Sequence, residues 1–156
     1  MRKVYVKEQV CMGCHLCEVA CLLKHAQTKD LVKAYKNESP RALSRIRVDE
    51  SGIVCLSVRC QHCADAPCLR ACLTGALSRD TATSLVMVDE ERCIGCGTCV
   101  LVCPLGVPRL DKEQKKMVKC DLCQDVEIPA CVTGCPNEAL VYVEEELDVS
   151  GVVQDV

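Results

Sequence analysis

The 156-residue chain contains no Trp, no Phe and only three Tyr, namely Tyr5, Tyr35 and Tyr142. Aromatic side chains contribute the largest buried apolar areas in ordinary cores, so their scarcity excludes a core of the usual construction. Something else must hold the chain together. No stretch approaches the roughly eighteen apolar residues of a membrane span, which excludes a direct helical anchor. The first seven residues, Met1 to Lys7, carry neither an apolar signal core nor a twin-arginine motif, so an oxidising destination is not indicated and the cytoplasm is expected. A Gly-rich dinucleotide fingerprint is missing and there is no room for a flavin domain, which excludes a self-contained reductase.

What is abundant is cysteine, seventeen in all, and sixteen of them fall into four clusters of four. The quartets are Cys11, Cys14, Cys17, Cys21; Cys60, Cys63, Cys68, Cys72; Cys93, Cys96, Cys99, Cys103; and Cys120, Cys123, Cys131, Cys135. The third is followed by Pro104 and reads C-x2-C-x2-C-x3-C-P, the run that holds a cubane 4Fe-4S cluster. A disulfide scaffold does not need repeated x2, x2, x3 spacings, and zinc sites separate two C-x2-C pairs rather than adding further thiolates so soon. Four quartets therefore predict four 4Fe-4S clusters. Each ligation becomes folding free energy, so the metal-free chain is expected to be poorly folded.

The formal net charge is −3. Each oxidised cubane with four thiolates adds about −2, so four bring the loaded protein to about −11. Such a charge excludes nucleic acid as a partner and favours proteins with basic or neutral surface.

The segments after the second, third and fourth quartets read Leu-Thr-Gly-Ala-Leu, Pro-Leu-Gly-Val-Pro and Pro-Asn-Glu-Ala-Leu, which marks worn internal repeats. Strand patterns occur at 3–7, 45–48, 53–58, 84–89 and 139–143, with Asp49 to Gly52 turning the second into the third as a hairpin. Short helices are expected after quartet ends. The clearest covers Cys17 to Lys24 and runs on towards Lys29, and Leu22 and Leu73 leave the first two quartets free to continue as helix. Residues 29–42 read as a surface excursion, open to a docking role or to plain solvation. The wider gaps Cys63 to Cys68 and Cys123 to Cys131 are expected to bulge outward.

Small residues between the cysteines let backbone N–H groups reach the sulfurs, the need that Gly13, Gly95 and Gly97 fit. Because every quartet is complete, no iron is left open for substrate, and outer-sphere one-electron transfer is the expected work. Cys55, alone in a strand-like run, reads as a buried structural thiol. His15, His25 and His62 read as hydrogen-bond donors or surface residues. Lys112, Lys115, Lys116 and Lys119 read either as a docking or potential-tuning patch or as a solvated hairpin connection.

The order of quartets, with Cys-x2-Cys-x4-Cys-x3-Cys second and an expanded fourth containing Pro129-Ala130-Cys131, resembles four-cluster electron-transfer subunits. Those subunits serve dimethyl sulfoxide reductase, formate dehydrogenase and hydrogenase complexes, and the likeness covers about residues 3 to 143. The segments Cys11 to Cys21 and Arg59 to Cys63 look most like the iron-sulfur subunit of carbon monoxide dehydrogenase, the CooF type. The resemblance implies an α+β fold of two nested two-cluster ferredoxin-like modules, the outer one 1–52 plus 112–156 and the inner one 53–111. It also implies nested ligation. Cys11, Cys14 and Cys17 would share a cluster with Cys135, and Cys21 would complete that of Cys120, Cys123 and Cys131. Cys60, Cys63 and Cys68 would pair with Cys103, and Cys72 with Cys93, Cys96 and Cys99. The long insertions of membrane-bound relatives are missing, and no Trp replaces a cysteine in the third quartet.

The function this implies is that of an electron-transfer subunit, not an enzyme in itself. It would relay low-potential electrons from carbon monoxide dehydrogenase to a hydrogenase or a flavin oxidoreductase. A tungsten or molybdenum enzyme oxidising aldehyde or formate is the alternative donor. A non-redox module stapled by metal is a third reading.

Overall fold

The computed structural model describes residues 2–144. The acidic run 144–146, read as a solvated strand end, lies mostly outside the described residues. Among the described residues, eight short strands pair into four separate antiparallel ribbons, connected by five α-helices and a 3-10 turn at Glu8–Val10. The sum is an α+β chain with no dominant sheet.

The strands are β1 (Arg2–Val6), β2 (Ile46–Ser51), β3 (Val54–Arg59), β4 (Leu77–Arg79), β5 (Val86–Val88), β6 (Arg109–Asp111), β7 (Lys116–Val118) and β8 (Leu140–Glu144). Strand β1 pairs with β8 from Arg2↔Glu144 to Val6↔Leu140, so the two ends of the described chain form one ribbon. The hairpin β2–β3 lies where the alternation placed it, with register Ile46↔Arg59 to Ser51↔Val54. Strands β4, β6 and β7 were not expected, and their three-residue length is too short for alternation to register.

The helices are α1 (Leu16–His25), α2 (Leu31–Asn37), α3 (Pro67–Arg70), α4 (Thr98–Leu101) and α5 (Ala130–Thr133). Helix α1 stops at His25 instead of running to Lys29. Residues 31–37, expected as an irregular excursion, are helical, because the Asp30 side chain accepts the Lys33 N–H at 3.0 Å and caps α2. Helices α3, α4 and α5 lie inside their quartets, between the third and fourth cysteine regions, and do not follow quartet ends as expected. After the second quartet the chain turns at once instead of continuing as helix, since the Gly75 N–H bonds the Cys72 carbonyl at 3.2 Å.

That turn is the repeat made visible. Gly75, Gly106 and Glu138 each stand three residues after a fourth cysteine, each has a left-handed φ (62°, 55° and 51°), and each returns its N–H to that cysteine's carbonyl. The three worn sequence repeats are thus one turn used three times.

Among the described residues the core is small, and seven of its 22 buried apolar residues are cysteine. One cluster gathers Val4, Cys17, Cys21, Ile46, Leu85, Leu122, Cys131 and Leu140. A second gathers Ala66, Ala76, Leu77, Val86, Cys93, Cys99 and Met117, and a third joins Val58, Cys60 and Val107. Helices α1 and α5 pack closely enough that a Cβ on Gly134 would lie 2.6 Å from the Ala20 Cβ.

Candidate iron-sulfur centre

Each quartet opens on the same local device. The residue two positions after the first cysteine is left-handed in all four: Gly13 (φ 66°), His62 (48°), Gly95 (67°) and Leu122 (55°). This turns backbone N–H groups inward. The His62 N–H donates to Cys60 Sγ at 3.4 Å and the Leu122 N–H to Cys120 Sγ at 3.4 Å. Two of the four positions are not glycine, so the glycine pattern found only half of the device.

Other donors reach other sulfurs. Arg45 N–H lies 3.2 Å from Cys21 Sγ, Met117 N–H 3.3 Å from Cys93 Sγ and Ala139 N–H 3.3 Å from Cys135 Sγ. Ser57 Oγ lies 3.2 Å from Cys17 Sγ and Thr98 Oγ1 3.4 Å from Cys96 Sγ. Thr98 and its own N–H hold the exposed Cys96 thiol below its ordinary pKa, which favours the thiolate that ligates metal.

The cysteines gather in sets that cross the quartet boundaries. One cavity is lined by Cys11, Cys14, Cys17 and Cys135. A second is lined by Cys60, Cys63, Cys68 and Cys103, and a third by Cys72, Cys93, Cys96 and Cys99. Cys21, Cys120 and Cys131 meet in the first core cluster around Leu122, and Cys123 lies close enough to Cys21 and Cys131 for a charge on one to raise the other's pKa. All sixteen cysteines of the quartets are free of disulfides.

Neighbouring sets touch in a fixed order. Cys17 and Cys135 share a core cluster with Cys21 and Cys131, Cys120 packs against Cys60, and Cys68 packs with Cys72, Cys93 and Cys99. The four sets therefore form a line.

Free thiols packed in this way resist ionisation. Burial first, then charge on neighbouring cysteines, pushes Cys99 up to about 11. Burial, aided by Cys21 and Cys60, pushes Cys120 up to about 12, and Cys131 is raised further for the same reasons. Four such thiolates can coexist in a buried set only around a cation, so the donor chemistry fits a metal cluster that displaces the protons.

Among the histidines and lysines, His62 and Lys119 depart from expectation, while His15 lies at the surface and His25 is a hydrogen-bond donor as expected. His62 is buried, and its Nδ1 accepts the Val86 N–H at 3.1 Å, so it acts as an acceptor. Burial, then the positive charges of Lys119 and Arg59, lowers its pKa to about 3. His15 is exposed and lies 3.0 Å from Glu50. His25 bonds the Cys21 carbonyl at 2.8 Å and Asp121 at 3.2 Å. Burial opposes its charge, but Asp121 and Cys21 together raise its pKa to about 9. Asp121 also accepts from Arg45 at 2.5 Å, so this trio braces α1 against the fourth quartet.

Lys119, expected in a solvated basic run, is buried and donates to the Val86 carbonyl. Lys112 and Lys115 remain exposed in the β6–β7 turn. Cys55 is only half buried, its sulfur against the backbone of Gly13. Both wider gaps bulge outward as expected, with Ala64, Asp65, Gln124, Asp125, Glu127 and Ile128 exposed, and return to the core at Ala66 and Pro129.

Comparison with known proteins settles the family. A 4Fe-4S dicluster domain matches residues 52–145. The chain belongs to the 4Fe-4S dicluster ferredoxin-type family. It is 38% identical over 153 residues to the electron transport protein HydN of Escherichia coli, covering 86% of this chain and 83% of that one. It is 43% identical over 134 residues to the polyferredoxin-like subunit of an aliphatic sulfonate oxidoreductase of Pyrococcus furiosus, covering 85% and 70% respectively. The fold is similar to a chain of the BamBC active-site complex of benzoyl coenzyme A reductase, with TM-score 0.51 and 21% identity over 96% of this chain and 83% of that chain. This dicluster-family protein is thus an iron-sulfur electron carrier with more than one 4Fe-4S cluster. No helix among the described residues is long and apolar enough to cross a membrane.

Proposed function

We propose that the sixteen quartet cysteines hold four 4Fe-4S clusters in the nested pairing, and that the chain relays electrons one at a time between a catalytic redox subunit and an acceptor protein. The observation that carries this reading is the cavity lining: three cavities each bring together four cysteines drawn from two different quartets. When bound, a 4Fe-4S cluster supplies reversible one-electron chemistry. With every ligand a cysteine, the protein's own part is to hold the sets in line, exclude water and direct N–H groups to the sulfurs. Cys14 and Cys96, in the two end sets, are exposed, as is Cys63 in a middle set; in this reading the end sets serve as electron entrance and exit. The nested modules 1–52 with 112–156 and 53–111 are the corresponding domain reading, with hairpin β2–β3 straddling their junction.

The donor we propose is carbon monoxide dehydrogenase, with a hydrogenase or flavin oxidoreductase as acceptor and the cytoplasm as the site of exchange. The likeness of Cys11 to Cys21 to the CooF type supports it. A tungsten or molybdenum enzyme oxidising aldehyde or formate is the second reading; the 43% identity to a subunit of an aliphatic sulfonate oxidoreductase supports a catalytic partner other than carbon monoxide dehydrogenase. Anaerobic affinity purification from native cells, with co-purifying subunits identified and their metals counted, separates the two. A nickel-iron partner and bleaching of visible absorbance on addition of carbon monoxide is the expected result. A tungsten or molybdenum partner without that response transfers the role to the second reading, and zinc in place of iron refutes both.

A further inference from the structure

Two cations are buried at the centre of the line of cysteine sets. Arg59 is 1% exposed and Lys119 5% exposed. Neither forms a salt bridge among the described residues. Arg59 donates to the Cys60 carbonyl at 2.7 Å and to the Val4 carbonyl, and its Nε has no partner. Lys119 donates to the Val86 carbonyl and lies 3.5 Å from the Cys120 carbonyl. A buried cation without a counter-ion costs several kcal/mol, so native proteins pair such groups. Here the carboxylate expected of a partner is replaced by sulfur. Lys119 lines the cavity of Cys60, Cys63, Cys68 and Cys103, and Arg59 is hydrogen-bonded to Cys60, in the cluster against which Cys120 packs. Both buried cations therefore lie where the two middle sets meet.

Among the described residues the end sets have no such cation. At one end Glu18, next to Cys17, accepts the Val48 N–H and lies beside the exposed His15, which also meets Glu50. At the other end Lys116 donates to the Cys93 carbonyl at 2.6 Å, but it is half exposed and water screens it. Asp121, the acid nearest the middle, is already neutralised by Arg45 and His25. Taking up one electron adds one negative charge to a set, and an unscreened neighbouring cation favours that gain.

We infer that Arg59 and Lys119 raise the reduction potentials of the two middle cysteine sets above those of the two end sets, so that a resident electron is held on the middle sets and not at either end of the line. The inference rests on the ligand sets proposed above. Its test is an anaerobic redox titration of the loaded wild-type protein, followed by electron paramagnetic resonance, alongside Lys119→Met and Lys119→Arg. The expected wild-type result is two higher and two lower potentials. Lys119→Met is expected to shift one higher potential downward by at least a tenfold change in its reduced-to-oxidised ratio, about 59 mV for one electron, with iron content unchanged; Lys119→Arg restores it. Four potentials without that two-and-two separation overturn the inference even if Lys119→Met does not load. An unshifted Lys119→Met with full iron overturns it while leaving the ligand sets intact. Wild-type iron near eight per chain removes the ligand sets themselves, and the inference with them.

Discussion

Gly95 and Gly97 are two residues apart in the same ligand loop, both left-handed (φ 67° and 76°), yet they differ in what surrounds them. A Cβ on Gly97 would meet nothing within 4 Å, whereas one on Gly95 would overlap the Lys115 carbonyl and come within 3.3 Å of Leu110 Cδ1. Gly97→Ala therefore measures the left-handed backbone alone, about 1–2 kcal/mol. Gly95→Ala adds a collision with backbone that cannot rotate away, about 1–3 kcal/mol more by the usual cost of overpacking. For a domain of this size each kcal/mol lowers the midpoint by about 2–4 °C. The expected falls are thus about 2–8 °C for Gly97→Ala and about 4–20 °C for Gly95→Ala. Anaerobic thermal melts of the loaded proteins at one scan rate, followed by visible absorbance, make the comparison. Equal falls in the two variants would show that the β6–β7 turn is not pressed against the third quartet, and would refute the reasoning.

Complete removal of iron by a chelator under reducing conditions is expected to abolish the cooperative melt, because ligation free energy is folding free energy in a chain whose core is small; a native-like transition in the metal-free chain contradicts this. Leu85→Ala removes a fully buried side chain from the first core cluster and is expected to cost about 2–5 kcal/mol, read as a lower melting midpoint. Cys55→Ser is expected to leave iron content unchanged, whereas Cys96→Ser lowers it or alters one resonance signal. Loss of a whole cluster from Cys55→Ser would give that residue a ligand role it lacks in the proposed sets.

The cysteine quartets were legible because a cubane imposes a spacing that little else shares, and the strands at both ends because Val recurs at alternate positions there, Val4 and Val6 in β1 and Val141 and Val143 in β8. The burial of Lys119 was not. In one dimension it continues a basic run from Lys112, but strand β7 carries the chain under β5, where the Val86 carbonyl takes the ammonium. Helices α3, α4 and α5 escaped because four residues barely exceed one turn, too few for a period of 3.6 to show. Helix α2 carried a readable start in Asp30, outweighed by the turn residues around Pro40. His62 and Leu122 hold left-handed backbones that sequence assigns to glycine, because the N–H so placed bonds a cysteine sulfur.

The pairing of β1 with β8 also decides how this chain can be joined to others. Arg2 and Glu144 are register partners, and their side chains form an ion pair at 2.9 Å. A polypeptide entering at Arg2 and one leaving at Glu144 therefore share a single corner of the molecule. The whole unit can be spliced into a surface loop of a larger protein with little strain on the host, and a short linker between its ends would permit new termini to be opened in the exposed turn at 112–115.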